Sequence, residues 1–440
     1  MSFDLARTDT ICALATARGR SAIAVVRLSG SRAFALRDAV FLRRRSGPPR
    51  PFVMVRGDVV DADGHVIDDA LCVSFPGPRS YTGEDLVELS LHGSPLVVDL
   101  VVGRLTQLGA RPAEPGELTL RAVLNDRLDL ASAEAVDVVI ASKTTAALFA
   151  AQRALRGGLL AAVDPIRALL IDALAELEAR LDFPDDELGS ADRSALRSRL
   201  HDAARQLDAM LHGARRGRRL SEGARVLLFG PPNAGKSTLL NALVGSERAL
   251  VHDEPGTTRD VLEAEVELEG VAVVVVDVAG VRDGSPHPVE RAGIARALAE
   301  VQRADVVVVV TPAGEAPFPP PASASCVLPL FSKIDLVDGV VGVSALTGAG
   351  LAALRSSIVQ ALGAAHVDDD EGLVQTARQE HALRECRGAV DDALGSLDHA
   401  PDEVVCSELR RAARCLDRLL GRDVSADVLD LVFTRFCIGK

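Results

Sequence analysis

The string GPPNAGKS at Gly230–Ser237 constrains this chain more than any other feature. It reads G-x-x-x-x-G-K-S, follows the apolar run RVLLF at Arg225–Phe229, and opens a helical stretch at Thr238–Val244. A strand, a glycine-rich loop and a helix in that order make a phosphate cradle. Backbone N–H groups approach the phosphates, and the helix N-terminus adds partial positive charge. Lys236 is placed to reach the outer phosphates and Ser237 to bind Mg2+. Asn233, Ala234, Gly235 and Thr238 line the same loop. Such a loop needs a parallel sheet behind it. The segment from Arg225 to about Leu362 alternates strands and helices accordingly.

Further segments define the nucleotide. Asp277-Val278-Ala279-Gly280 follows the valine run 273–276. The Asp can hold the magnesium shell through water, and the Gly280 N–H can meet the terminal phosphate and sense its loss. Gly256-Thr257-Thr258-Arg259-Asp260 lies between this segment and the loop, and Thr258 is expected to complete the magnesium coordination. Ser332-Lys333-Ile334-Asp335 selects the base. An Asp carboxylate accepts two hydrogen bonds from the N1 and N2 edge of guanine, which adenine does not offer. Lys333 would lie along the base plane, and Ser344-Ala345 offers a backbone N–H to O6. GTP is therefore the expected ligand. Many GTPases place a water-orienting Gln where this chain has Val281, so another group must supply that function. The Asn233 carbonyl can hold a monovalent cation, whose charge can replace an arginine finger; Asn is also an ordinary loop residue.

Most of the 440 residues lie outside this region. The first ~120 residues read as mixed α/β, with strands expected at Ser21–Leu28, Phe52–Val60 and Ala70–Phe75 and a helix at Leu96–Leu108. From about Leu124 to His212, and again from about Gly372, the spacing is helical, as in Pro165–Phe183. The expected architecture is α/β multidomain. An N-terminal α/β domain spans 1–123, a discontinuous helical domain spans 124–219 and 367–440, and a Ras-like P-loop G domain is inserted at 220–366. The net charge of −13 counts against a stand-alone nucleic-acid binder. The dense basic run Arg215, Arg216, Arg218, Arg219 reads as a solvated hinge, with contact to tRNA as the alternative. Seven scattered cysteines form no CxxC pair, no run is long enough to span a membrane, and the N-terminus lacks a signal pattern. These traits suit a cytoplasmic protein with reduced thiols.

Several strings outside the nucleotide region carry a resemblance. They are Phe75–Leu91 (FPGPRSYTGEDLVELSL) with His92-Gly93, Pro115-Gly116-Glu117 with Arg121, Asn125–Leu130 (NDRLDL), Asp182–Asp186 (DFPDD) and the terminal Phe436–Lys440 (FCIGK). With these the chain resembles the tRNA-modifying GTPase family MnmE (TrmE) from end to end. The resemblance implies a homodimer that works with a flavoprotein, MnmG (GidA), which carries FAD and NADH. Together they place an aminomethyl or carboxymethylaminomethyl group on carbon 5 of the wobble uridine of certain tRNAs. It implies that K+ between paired G domains activates hydrolysis. By position, Asn233 and Thr257 match K+ ligands, with the backbone carbonyls of His252 and Glu254; Asp253, Pro255 and Gly256 complete that loop. Ser237 and Thr258 match Mg2+ ligands, and Glu290 matches the residue that positions the attacking water. Arg27, Glu88, Arg127 and Lys440 match contacts to a tetrahydrofolate one-carbon carrier, and Cys437 is implied near the one-carbon unit. The chain departs from the family at Val278 and Ser332, where Thr and Asn are usual, and by one residue inserted between Asp277 and Glu290. A different class, a regulatory GTPase of ribosome assembly, is the alternative; such proteins usually carry a basic RNA-binding module.

Overall fold

A computed structural model of the chain describes residues 9–44, 50–182, 193–245, 261–278, 298–362, 373–423, 425–434, 436 and 439. It divides into two compact units, Met1–Asp137 with Asp417–Lys440, and Val138–Leu416.

The first unit is built on seven strands: β1 (Ile11–Leu14), β2 (Ser21–Ser29), β3 (Phe41–Arg43), β4 (Val55–Val60), β5 (Val66–Phe75), β6 (Leu86–Gly93) and β7 (Arg111–Pro112). Their order is β3-β4-β5-β6-β2-β1-β7, antiparallel except for β1 with β7. Side chains on a strand alternate faces. Ala24, Val26 and Leu28 on β2, with Val87, Leu89 and Leu91 on β6, pack against Leu36 and Val40 of the helix Ala33–Val40 and Val98, Val101 and Leu105 of the helix Pro95–Gln107. The intervening residues Arg27 and Glu88 therefore share the opposite face. The C-terminal helix Ala426–Phe433 belongs to this unit. Gly116 admits it: a Cβ there would lie 2.5 Å from the Phe433 carbonyl, and its φ of +73° suits glycine.

In the second unit, long helices flank a second sheet in sequence. They run over Thr145–Leu155, Gly158–Asp182, Arg193–Glu222, Ala377–Ser396 and Asp402–Leu420, the last four residues of which fall in the first unit. The helix read at Pro165–Phe183 begins earlier, at Gly158, and carries Pro165 inside it. Proline there removes one backbone bond, and burial of Leu159, Val163, Ile166 and Leu170 sustains the helix through it. Thr376 and Gln379 form a reciprocal cap at the start of Ala377–Ser396. Arg218, in the basic run read as solvated, is instead half-buried and ion-paired at 2.8 Å with the buried Glu380.

The inserted sheet has five strands: β8 (Ala224–Phe229), β9 (Val261–Leu268), β10 (Val271–Val278), β11 (Val306–Pro312) and β12 (Val327–Ser332). Their order is β12-β11-β8-β10-β9; all pairs are parallel except β9 with β10. The alternate valines of β10 and β11 are buried with Leu239, Leu240 and Leu243 of the helix Lys236–Gly245 and Leu354 and Ile358 of the helix Leu351–Ala361. Consecutive connections leave β8 toward opposite neighbours, so a crevice opens at its C-terminal end, where ligands of such sheets bind. The fold is α/β and multidomain, with an α/β N-terminal domain, a discontinuous helical domain and an inserted Ras-like G domain.

Candidate functional site

The C-terminal ends of β8, β10 and β12 bring three expected segments together. The loop leaves β8 at Gly230, where a Cβ would lie 2.3 Å from the Val310 carbonyl, so only glycine lets the loop pass so close to β11. Asn233 is exposed and left-handed (φ 62°), a conformation asparagine tolerates well. Lys236 is 6% exposed and donates from Nζ to the carbonyls of Gly230 (3.2 Å) and Pro231 (2.9 Å). Burial pushes its ammonium below the usual lysine range, while the Asp277 carboxylate pushes the other way.

Ser237 Oγ donates to Asp277 Oδ2, which joins the start of the helix to the end of β10. The other carboxylate oxygen, Asp277 Oδ1, is buried without a hydrogen-bond partner. A buried ionised oxygen without a partner is costly. A hydroxyl and a carboxylate side by side, with one oxygen unsatisfied, are the hard oxygen donors that Mg2+ takes. These residues fit that ion.

The base-selecting segment sits beside the loop. Ser332 Oγ donates to the Ala234 carbonyl at 2.6 Å and to the Thr311 carbonyl at 3.3 Å, and is buried. Its role is thus to tie the end of β12 to the phosphate loop. Lys333 is left-handed (φ 57°), and its Cε lies 3.7 Å from where a Cβ on Gly235 would sit, so its stem runs along the loop. Asp335 lies in the short helical turn Ile334–Leu336. Val343 bridges Ser332 in parallel and donates to the Phe331 carbonyl at 2.8 Å. Ser344 and the half-buried Ala345 follow directly, next to the Asp335 turn. His252, Asp253, Glu254, Pro255, Gly256, Thr257, Thr258, Ala279, Gly280, Glu290, Cys437 and Lys440 lie outside the described residues.

A second set meets in the first unit. Arg27 and Glu88 are directly opposite in the β2–β6 register, and Arg27 Nε donates to Glu88 Oε1 at 2.8 Å. Arg27 Nη1 donates to the Gly439 carbonyl at 3.4 Å, so the tail reaches this site within one chain. Arg127 Nε donates to the Ser80 carbonyl at 3.2 Å.

The protein-family model described as GTP-binding protein TrmE N-terminus matches residues 10–127, and the MnmE helical domain model matches 130–437. A tRNA modification GTPase MnmE of Symbiobacterium thermophilum is 42% identical over 98% of this chain and 99% of its own. The proteins of that name from a Methylobacterium species and from Thermus thermophilus are 43% and 42% identical over 98% of this chain, covering 100% and 99% of theirs. The chain belongs to the MnmE family of tRNA modification GTPases. Among solved structures, the G domain of the T. maritima FeoB iron transporter is 25% identical, covers 31% of this chain and 98% of its own, and has a TM-score of 0.25.

Two features of this MnmE-family chain were not legible in its sequence. One is the bond from Ser332 to the loop, whose partner is 98 positions away. The other is a buried charge cluster at the base of β1 and β7. Arg121 pairs there with Asp9, Glu84 and Glu117, and Arg111 pairs with Asp9 and Glu117. Pro115-Gly116-Glu117 with Arg121 marked the place, without showing the partners.

Proposed function

We propose that this protein is a cytoplasmic, K+-activated GTPase. With a flavoprotein partner of the MnmG (GidA) kind it adds a (carboxymethyl)aminomethyl group to carbon 5 of the wobble uridine of certain tRNAs. The observation that supports GTP hydrolysis is the meeting of Lys236, Ser237 and Asp277, with one Asp277 oxygen unsatisfied. Mg2+ bound there neutralises charge on the β- and γ-phosphates. Lys236 would exchange two loop carbonyls for phosphate oxygens, stronger partners for an ammonium. Asp335, Lys333 and the Ser344-Ala345 backbone would hold guanine. The exposed Asn233 at the mouth of the loop supports the cation, with Thr257 and the carbonyls of His252 and Glu254 as its other ligands. Thr258 would complete the magnesium shell, and Glu290 would orient the attacking water.

Homodimerisation, tetrahydrofolate binding and the partner's FAD and NADH are supported by the family relation. Arg27, Glu88 and Arg127, with Lys440 next to Gly439, offer cations for a folate's glutamate carboxylates and a carboxylate for its ring donors. Cys437 would lie near the one-carbon unit. No helix among the described residues is long and apolar enough to cross a membrane.

Nucleoside mass spectrometry of tRNA from a deletion strain tests the function. Loss of the modified wobble uridine, restored by the intact gene, is expected. Unchanged tRNA with accumulated ribosomal precursors would favour a regulatory GTPase instead. Replacing K+ by Na+ should cut turnover at least about tenfold, equivalent to about 1.4 kcal/mol of barrier. Equal rates would reject the activating cation.

A further inference from the structure

The chain contains one tyrosine and no tryptophan, and that tyrosine stands where the second site's residues converge. The Arg27 guanidinium lies over the Tyr81 ring, 5.7 Å from its centroid. The same guanidinium is held by Glu88 and by the Gly439 carbonyl. Arg127 binds the carbonyl of Ser80, the residue before Tyr81. Asn125 Nδ2 donates to the carbonyl of Thr82, the residue after it, at 2.7 Å. Tyr81 Oη and Thr119 Oγ1 are 2.8 Å apart. The ring is thus fixed at its hydroxyl and on both sides of its backbone, yet it is only half-buried.

We propose that Tyr81, with the Arg27 guanidinium against its ring, forms the flat wall on which the bicyclic ring of a reduced folate packs. This assignment depends on the one-carbon-carrier function proposed above and names the residue that recognises the ring. A bicyclic pterin needs a planar apolar surface for its face and polar groups at its edge. Tyr81 supplies the surface; Glu88, Arg27 and the Gly439 carbonyl supply the edge. An aromatic wall already fixed in place loses little conformational freedom on binding. Packing alone accounts for the Thr119 bond. It does not account for the convergence of Arg27, Arg127 and the chain's own C-terminal segment on a half-exposed ring.

The single tyrosine makes the test direct. Full-length protein carrying ring-labelled tyrosine gives one set of ring resonances, and 5-formyltetrahydrofolate is the probe. Saturation is expected to shift those resonances through the ring current of the pterin. Calorimetric titration should give Tyr81→Phe an affinity within about twofold of the parent, because the ring is retained. Tyr81→Leu should weaken binding about tenfold or more, with a melting temperature close to that of the parent. Binding heat without a resonance shift, or a folded Tyr81→Leu variant with parental affinity, would overturn the wall. If Tyr81→Leu does not fold, the resonance shift in the parent decides. An absence of binding heat in the parent would instead overturn the carrier site itself, and is distinguished by that readout.

Discussion

The protein buries charge in two places and wires them oppositely. In the cluster of Arg111, Arg121, Asp9, Glu84 and Glu117, every carboxylate oxygen accepts a hydrogen bond. Most donors are guanidinium groups; Ser29 and the Glu114 backbone supply the rest. In the nucleotide site, Lys236 binds only neutral carbonyls, and one Asp277 oxygen has no partner. A saturated network rigidifies the fold and has nothing left for a ligand. An unsaturated one holds its electrostatic capacity for a ligand and stabilises little by itself. Substitutions in the first should therefore cost stability and spare turnover. Substitutions in the second should do the reverse.

The largest expected effect breaks the saturated cluster. Arg121→Ala would leave three carboxylates facing each other with one guanidinium, and should destabilise the first unit by about 3–5 kcal/mol in denaturant unfolding. GTP turnover per folded molecule should be unchanged. A parental unfolding curve would show that the cluster carries no structural weight.

Lys236→Ala should lower GTP turnover by about a hundredfold or more, a barrier increase of about 2.7 kcal/mol. The ligand-free protein should melt no lower than the parent, because burial already disfavours the Lys236 charge. A large loss of melting temperature would mean that Lys236 is a structural group, and the contrast between the two clusters would fail.

Acid sharpens the same comparison. The guanidinium groups of Arg111 and Arg121 hold the carboxyls of Asp9 and Glu117 below their usual range, against the opposing effect of burial. A depressed folded-state pKa gives stability that is fully present above the unfolded pKa and lost as pH falls through the folded one. Unfolding of the first unit should therefore set in below about pH 4. Arg121→Ala should move its midpoint to higher pH, which circular dichroism at stepped pH would register. An unmoved midpoint would assign the acid transition to other groups.

The smallest expected effect is at Ser332. Its hydroxyl ties the base-selecting segment to the phosphate loop, and Ser332→Ala should cost about 1 kcal/mol, or about fivefold in GDP affinity by fluorescence titration. The preference for guanine over adenine should persist, since Asp335 carries it. A loss of that preference would place Ser332 in base recognition.

The legible part of the site followed from local order. β8, its loop and the helix Lys236–Gly245 are consecutive, so strand pattern, glycines and lysine announce each other along the chain. Asp277 was readable for the same reason, at the end of a valine strand. Arg27 and Glu88 were different. Each is a charged residue on an alternating strand, and their chemistry appears only when β2 pairs with β6 in the register that sets them opposite. The sequence pattern predicted alternating faces on these strands but held no information on which strands become neighbours.

The order of elements, the phosphate loop, the base choice and the helical insertion topology are properties of the sequence by itself, because periodicity and turn chemistry act over a few residues. Three things were decided by tertiary structure. Ser332 meets Ala234 at a distance of 98 positions. Asp277 keeps one oxygen without a partner while every carboxylate oxygen of the Arg121 cluster is bound. Gly439 reaches Arg27 across 412 positions and places the C-terminal segment beside Tyr81. Each depends on strand order, on register and on close approach at single glycines such as Gly116, and those are settled only when distant segments pack together.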